Sequence, residues 1–101
     1  MSRESRAREL TYEARARLAD NLYLRRRRAG LSQERLAELA LVSAGQIGAI
    51  ELGKSVGMLD SCVRLAGALS ISLDELLAGV RWTPGEIELE VDAGYEVEFE
   101  S

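Results

Sequence analysis

Apolar residues recur at helical spacing through the middle of the chain and at strand spacing near its end. From Glu13 to about Ala29, Ala14, Leu18 and Leu22 fall on one stripe, which Arg25 and Arg26 continue, and Gly30 follows as a helix stop. Ser32 heads a second run, with Arg35 standing where a full capping box has Glu. Leu36, Ala37, Leu39 and Ala40 are its predicted buried side, and it ends near Leu41. Ser43 caps a third predicted helix to about Leu52, with Val42, Ile47 and Ile50 inward and Gly53 closing it. A loop over 53–58 leads to a fourth helix from about Leu59 to Leu69, whose inward set is Leu59, Cys62, Leu65, Ala66 and Leu69. Ser72 starts a short fifth helix through Leu77, ended by Gly79.

After Trp82-Thr83-Pro84-Gly85 the period changes to two. Ile87, Leu89 and Val91 alternate with Glu86, Glu88 and Glu90; Val97 and Phe99 alternate with Glu96, Glu98 and Glu100. With Asp92-Ala93-Gly94-Tyr95 between them, these runs predict a β-hairpin with one apolar and one acidic face. An isolated hairpin is marginal in water, so the apolar face needs a cover. Dimerisation across a twofold axis is the favoured reading; packing on the chain's own helices and capture of a basic surface or partner stay open. Trp82 is expected to anchor the turn into the hairpin by packing on the core. The chain thus divides into a basic extension (1–17), either a helical continuation or a loose arm, a helical domain (18–79) and an acidic hairpin (80–101).

Charge refines this division. The 101 residues carry a net charge of −4. Residues 1–54 hold eleven Arg and Lys against seven Asp and Glu, a balance of +4, while residues 55–101 hold two against ten, a balance of −8. A basic half joined to an acidic tail is a better guide to partners than the total. No apolar run approaches the roughly 18–20 residues that cross a bilayer, and the charged N-terminus lacks the apolar stretch of a secretory signal. The single cysteine, Cys62, falls on an apolar stripe and reads as a buried structural thiol in a reducing, cytoplasmic setting. There is no histidine, no P-loop and no Rossmann fingerprint, so the sequence points to no enzyme, no metal and no cofactor.

The informative stretch is Gln33 to Leu52. Ala37 is small where the second and third helices must cross closely. Ile47 and Ile50, one turn apart, lock the third helix down and leave its other face open to a major groove. At this point the chain resembles the lambda-repressor-like, Xre-type helix-turn-helix domains. Residues 30–40 look like their GLSQxxLAxxA signature. Val42-Ser43, Ile47, Ile50-Glu51 and Gly53-Lys54 continue it, and Leu59-Asp60, Leu65-Ala66, Ala68-Leu69 and residues 72–77 match the last two helices. The resemblance runs without gaps over roughly residues 18–79. It implies a mainly α, five-helix DNA-binding domain, here with the C-terminal hairpin added, acting as a dimer on double-stranded DNA. It further implies that Gln33 contacts the DNA backbone, that Ser43, Ala44, Gly45, Gln46 and Ala49 face the groove, that Lys54 meets a phosphate, and that Arg26 and Glu51 form a structural salt bridge.

Three positions depart from that pattern. Leu41 stands where the turn usually takes glycine with a positive φ, so either the domain absorbs the strain or the turn differs. The groove side of the third helix has one amide, Gln46, among alanines and glycines, which suits weak rather than strong sequence specificity. Gly57 replaces a common proline and is expected to loosen the loop and do little more. The expected function is a dimeric DNA-binding transcriptional regulator, paired through Ile87, Leu89, Val91, Val97 and Phe99, with no membrane partner. The alternative is the same fold used as a protein-interaction module whose acidic hairpin holds a partner.

Overall fold

Three serines start three of the helices. Ser32, Ser43 and Ser72 each hold an extended backbone and accept, through Oγ, a hydrogen bond from the amide three residues on, that of Arg35, Gln46 and Glu75 respectively. Each satisfies one of the N–H groups that a helix start leaves open. At Ser72 the Glu75 side chain also accepts from the Ser72 amide, closing a full capping box. That amide is the chief cause holding the Glu75 carboxyl below its ordinary range.

The structure, a computed structural model, describes residues 12–83. Its helices are α1 (Tyr12–Arg28), α2 (Gln33–Ala40), α3 (Ala44–Glu51), α4 (Leu59–Ala68) and α5 (Leu73–Leu76). No strand occurs among the described residues; the predicted hairpin and the N-terminal extension before residue 12 lie outside them. No helix among these residues is long and apolar enough to cross a membrane.

All but one of these helices are short, and helices of eight to ten residues are not stable alone in water. They hold together by burying one stripe each. Leu22, Leu36, Ile47, Ile50, Leu65 and Leu76 are all but fully buried, so every helix contributes to one core. α1 lies against α3 and α5, α2 against α3 and α4, and α4 against α5. Polar side chains tie the packing at helix ends. Asn21 Nδ2 donates to the carbonyls of Leu76 and Ala78, each at 2.8 Å. Arg64 Nε donates to the Ala40 carbonyl at 2.9 Å, and Arg15 Nε to that of Gly53 at 3.2 Å. These carbonyls sit at helix ends, where the helix itself supplies no donor.

Two residues placed inward by the sequence pattern are exposed. Leu39 is 46% accessible because α2 packs through Leu36, Ala37 and Ala40, and position 39 falls more than a quarter turn off that stripe. Leu59, in the first turn of α4, is 68% accessible. Trp82 remains 38% accessible and is not among the residues packed on the core. Cys62 is buried, as its stripe required, and burial raises its thiol pKa.

The turn between α2 and α3 takes the left-handed conformation at a leucine, not a glycine. Leu41 caps α2 at φ 61° and ψ 43° and sends its amide back to Ala37 O. Its side chain is 77% exposed, so it gains little burial in exchange for the strain. Leu41→Gly is expected to stabilise the domain by about 0.5–1 kcal/mol: relief of roughly 1–2 kcal/mol of strain, less the added flexibility of glycine in the unfolded chain. A rise in the urea midpoint at unchanged slope would register it.

Candidate nucleic-acid interface

α2 and α3 form two capped helices joined through Leu41, Val42 and Ser43, each sealed to the core by one face. On α3 the sealed face is Ile47 and Ile50. At 3.6 residues per turn the opposite side belongs to Gly45, Gly48 and Ala49, with Ala44 on one flank and Gln46 on the other. Gly45 and Ser43 are exposed; Ala44, Gln46, Gly48 and Ala49 are partly so. Ala44 leans on the core. Lys54 is exposed just after α3, its amide bonded to Ala49 O at 2.9 Å.

Arg26 and Glu51 meet between α1 and the end of α3. Arg26 Nε donates to Glu51 Oε2 at 2.7 Å and Nη2 to Oε1 at 3.0 Å, a two-pronged fit. The side chains are only 9% and 6% exposed. Nη1 donates to the Leu31 carbonyl at 2.8 Å, and the guanidinium carbon stands 5.4 Å from the centre of the Tyr23 ring. The Glu51 hydrogen bond is the main cause of a raised Arg26 pKa. Gln33 Nε2 donates to Glu51 Oε1 at 3.0 Å, so the first residue of α2 joins the pair.

A model of the helix-turn-helix family HTH_3 matches residues 22–76, more than half of the chain. The chain belongs to that family. Its fold is the DNA-binding helix-turn-helix of the Xre type. No curated protein matches it. Among solved structures it is similar to an HTH_3 family transcriptional regulator from Vibrio cholerae, at 28% identity and a TM-score of 0.62. That match covers 66% of this chain but 38% of the Vibrio protein, so the chain spans well under half the length of that relative. It is also similar to the restriction-modification controller protein C.AhdI from Aeromonas hydrophila, at 34% identity, TM-score 0.60, covering 61% of this chain and 94% of that one. A third is the hypothetical transcription factor NHTF from Neisseria, at 29% identity, TM-score 0.61, covering 82% and 92%.

Two residues of this domain behave unlike their sequence reading. Gln46, the one amide of α3, turns toward α4: its Nε2 donates to Ser61 Oγ at 3.2 Å, and Ser61 is buried. Ser61 carried no signal in the sequence, because a serine beside an apolar stripe reads as surface. Gly57 is more than a loose link. Its φ is +73°, out of reach of proline, and a Cβ there would lie 3.2 Å from Ile50 Cδ1 and 3.5 Å from Gln46 Nε2. The loop before α4 therefore closes against α3, and only glycine fits without a shift. Among the described residues no group of His, Cys, Asp or Glu is placed to hold a metal.

Proposed function

We propose that this protein is a cytoplasmic transcriptional regulator that binds double-stranded DNA as a dimer with α3 in the major groove. The observation that carries this reading is the charge state of α3. Its one acidic residue, Glu51, is spent on Arg26, so the open side of the helix offers no free carboxylate to a phosphate-lined groove. The capped starts of α2 and α3 supply backbone N–H groups and a partial positive charge suited to phosphate. Gln33, Ser43, Gly45, Ala49 and Lys54 are the proposed contacts, with Ala44 and Gln46 at the two edges. Two of the related structures are a transcriptional regulator and a hypothetical transcription factor, which lends support. For the dimer we propose the apolar set Ile87, Leu89, Val91, Val97 and Phe99, paired across a twofold axis so that two α3 helices meet half-sites one helical turn apart.

The test is duplex binding across a salt series. Affinity should fall linearly on a log–log plot as salt rises, because each phosphate contact releases counterions. Lys54→Ala should reduce the slope by about one and weaken all sequences alike. Selection from random duplexes should return a palindrome. Binding without salt dependence, or no binding even at low salt, would leave the protein-interaction module as the better account. A full-length protein that sediments as a monomer at binding concentrations would remove the dimer.

A further inference from the structure

The open side of α3 has almost no side chain with which to read a base, and Gln46 is turned away onto Ser61. Yet a carboxamide does lie over that side. Apart from α3's own neighbouring backbone, the heavy atoms nearest to where a Gly48 Cβ would stand are Gln33 Oε1, at 3.8 Å, and Gln33 Nε2, at 3.9 Å. With hydrogen in place of a side chain at position 48, the amide from α2 reaches across to the open side of α3. It is also held in one sense. Nε2 gives one N–H to Glu51, so the amide cannot turn over without setting Oε1 against a carboxylate oxygen. The other N–H and Oε1 have no protein partner among the described residues.

We propose that Gln33 is the specificity-determining residue of this domain and that it reads adenine. The inference rests on the DNA-binding reading above and refines it. A fixed donor and acceptor side by side match the adenine edge, where Oε1 accepts from the N6 amino group and Nε2–H donates to N7. A phosphate uses only the donor and leaves Oε1 opposed to its oxygens. Glu51 acts here as a positioning residue: Arg26 neutralises it and orients it, and it in turn sets the amide.

The experiment compares the full-length protein with Gln33→Ala and Gln46→Ala, each by duplex selection and then by titration of the selected duplex. The wild type should prefer an A·T pair at one position of each half-site. Gln33→Ala should lose the preference at that pair alone, and Gln46→Ala should keep it. Placing 7-deazaadenine there, which removes the N7 acceptor and leaves N6, should weaken the wild type by about 2- to 10-fold and leave Gln33→Ala unaffected. Unchanged wild-type affinity on the 7-deazaadenine duplex overturns the inference even if a variant folds poorly; a loss that persists in Gln46→Ala and disappears in Gln33→Ala assigns the N7 contact to Gln33. If Gln33→Ala weakens every sequence equally, with the salt slope unchanged because the amide carries no charge, Gln33 is a phosphate contact and the inference fails while the regulator reading stands. If the preference goes with Gln46 instead, it fails likewise. If no duplex binds in a salt-dependent way, the regulator reading itself has failed, and this refinement with it.

Discussion

Glu51→Ala is expected to destabilise the domain by about 3–5 kcal/mol, because it leaves a buried guanidinium without its carboxylate. Arg26 is 7% exposed and has no escape through proton loss: an arginine keeps its charge in proteins, and the Glu51 hydrogen bond raises its pKa further. The sign follows. A group whose folded pKa is raised contributes fully below its unfolded pKa and loses that contribution only as pH rises through the folded value. Neutral and mildly alkaline buffers therefore leave the arginine's share intact. Of the donors that Glu51 serves, Gln33 is half-exposed and can turn to water; the guanidinium cannot. Against a total stability of about 5–15 kcal/mol for a small domain, the loss is large. Thermal unfolding should move down by on the order of 20 °C. Replacing both partners with apolar residues, Arg26→Met with Glu51→Leu, should recover most of the loss, since a paired charge and a packed apolar pair are often close in energy. A single-variant loss below about 1 kcal/mol would mean that the pair is solvated in solution, and would contradict the burial described here.

How far the fold was legible in the sequence follows from which signals are local. Helix starts were readable because Ser32, Ser43 and Ser72 cap through their own side chains, within three residues. The strained turn was readable as a departure at Leu41, and its φ of 61° places the strain at that residue. Buried stripes were readable where spacing and packing agree, as at Leu36, Ala37 and Ala40. They misled at Leu39 and Leu59, because periodicity reports which residues could be buried, while burial itself depends on how much of a helix its neighbours cover.

The interface was legible at the level of which helix and which face, and less so at the level of side chains. Nothing local says that Gln46 will turn to Ser61, fifteen residues on, or that Gln33 will cross to Glu51, eighteen residues on. Both depend on two helices being already in place. Gly57 shows the same limit: its glycine is demanded by Ile50 and by a positive φ, both set by how the loop closes on α3.

Ile47→Ala should be the most damaging truncation in α3, costing about 2–5 kcal/mol. α3 has eight residues, two of them glycines, and glycine weakens a helix by up to about 1 kcal/mol relative to alanine. Its open side is bare, so nothing there offsets that weakness. What keeps it helical is burial of Ile47, at 0% exposure, and Ile50, at 1%, one turn apart in the shared core. Truncation at Ile47 removes apolar surface and leaves a cavity among rigid neighbours, and the two costs add. Ile47→Val, which removes a single methylene, should cost only about 0.5–1.5 kcal/mol. Urea denaturation of both variants at unchanged slope should show that ordering. Hydrogen exchange should then show whether α3 opens by itself: amides of α3 losing protection ahead of α1 would mark a local opening, and uniform loss would mark a core that fails as one unit. Equal, small losses for the two variants would mean that α3 is held by something other than this face. A helix that frays without Ile47 cannot hold Gly48 beside the Gln33 amide, so early loss of α3 protection in Ile47→Ala should be accompanied by weaker duplex binding.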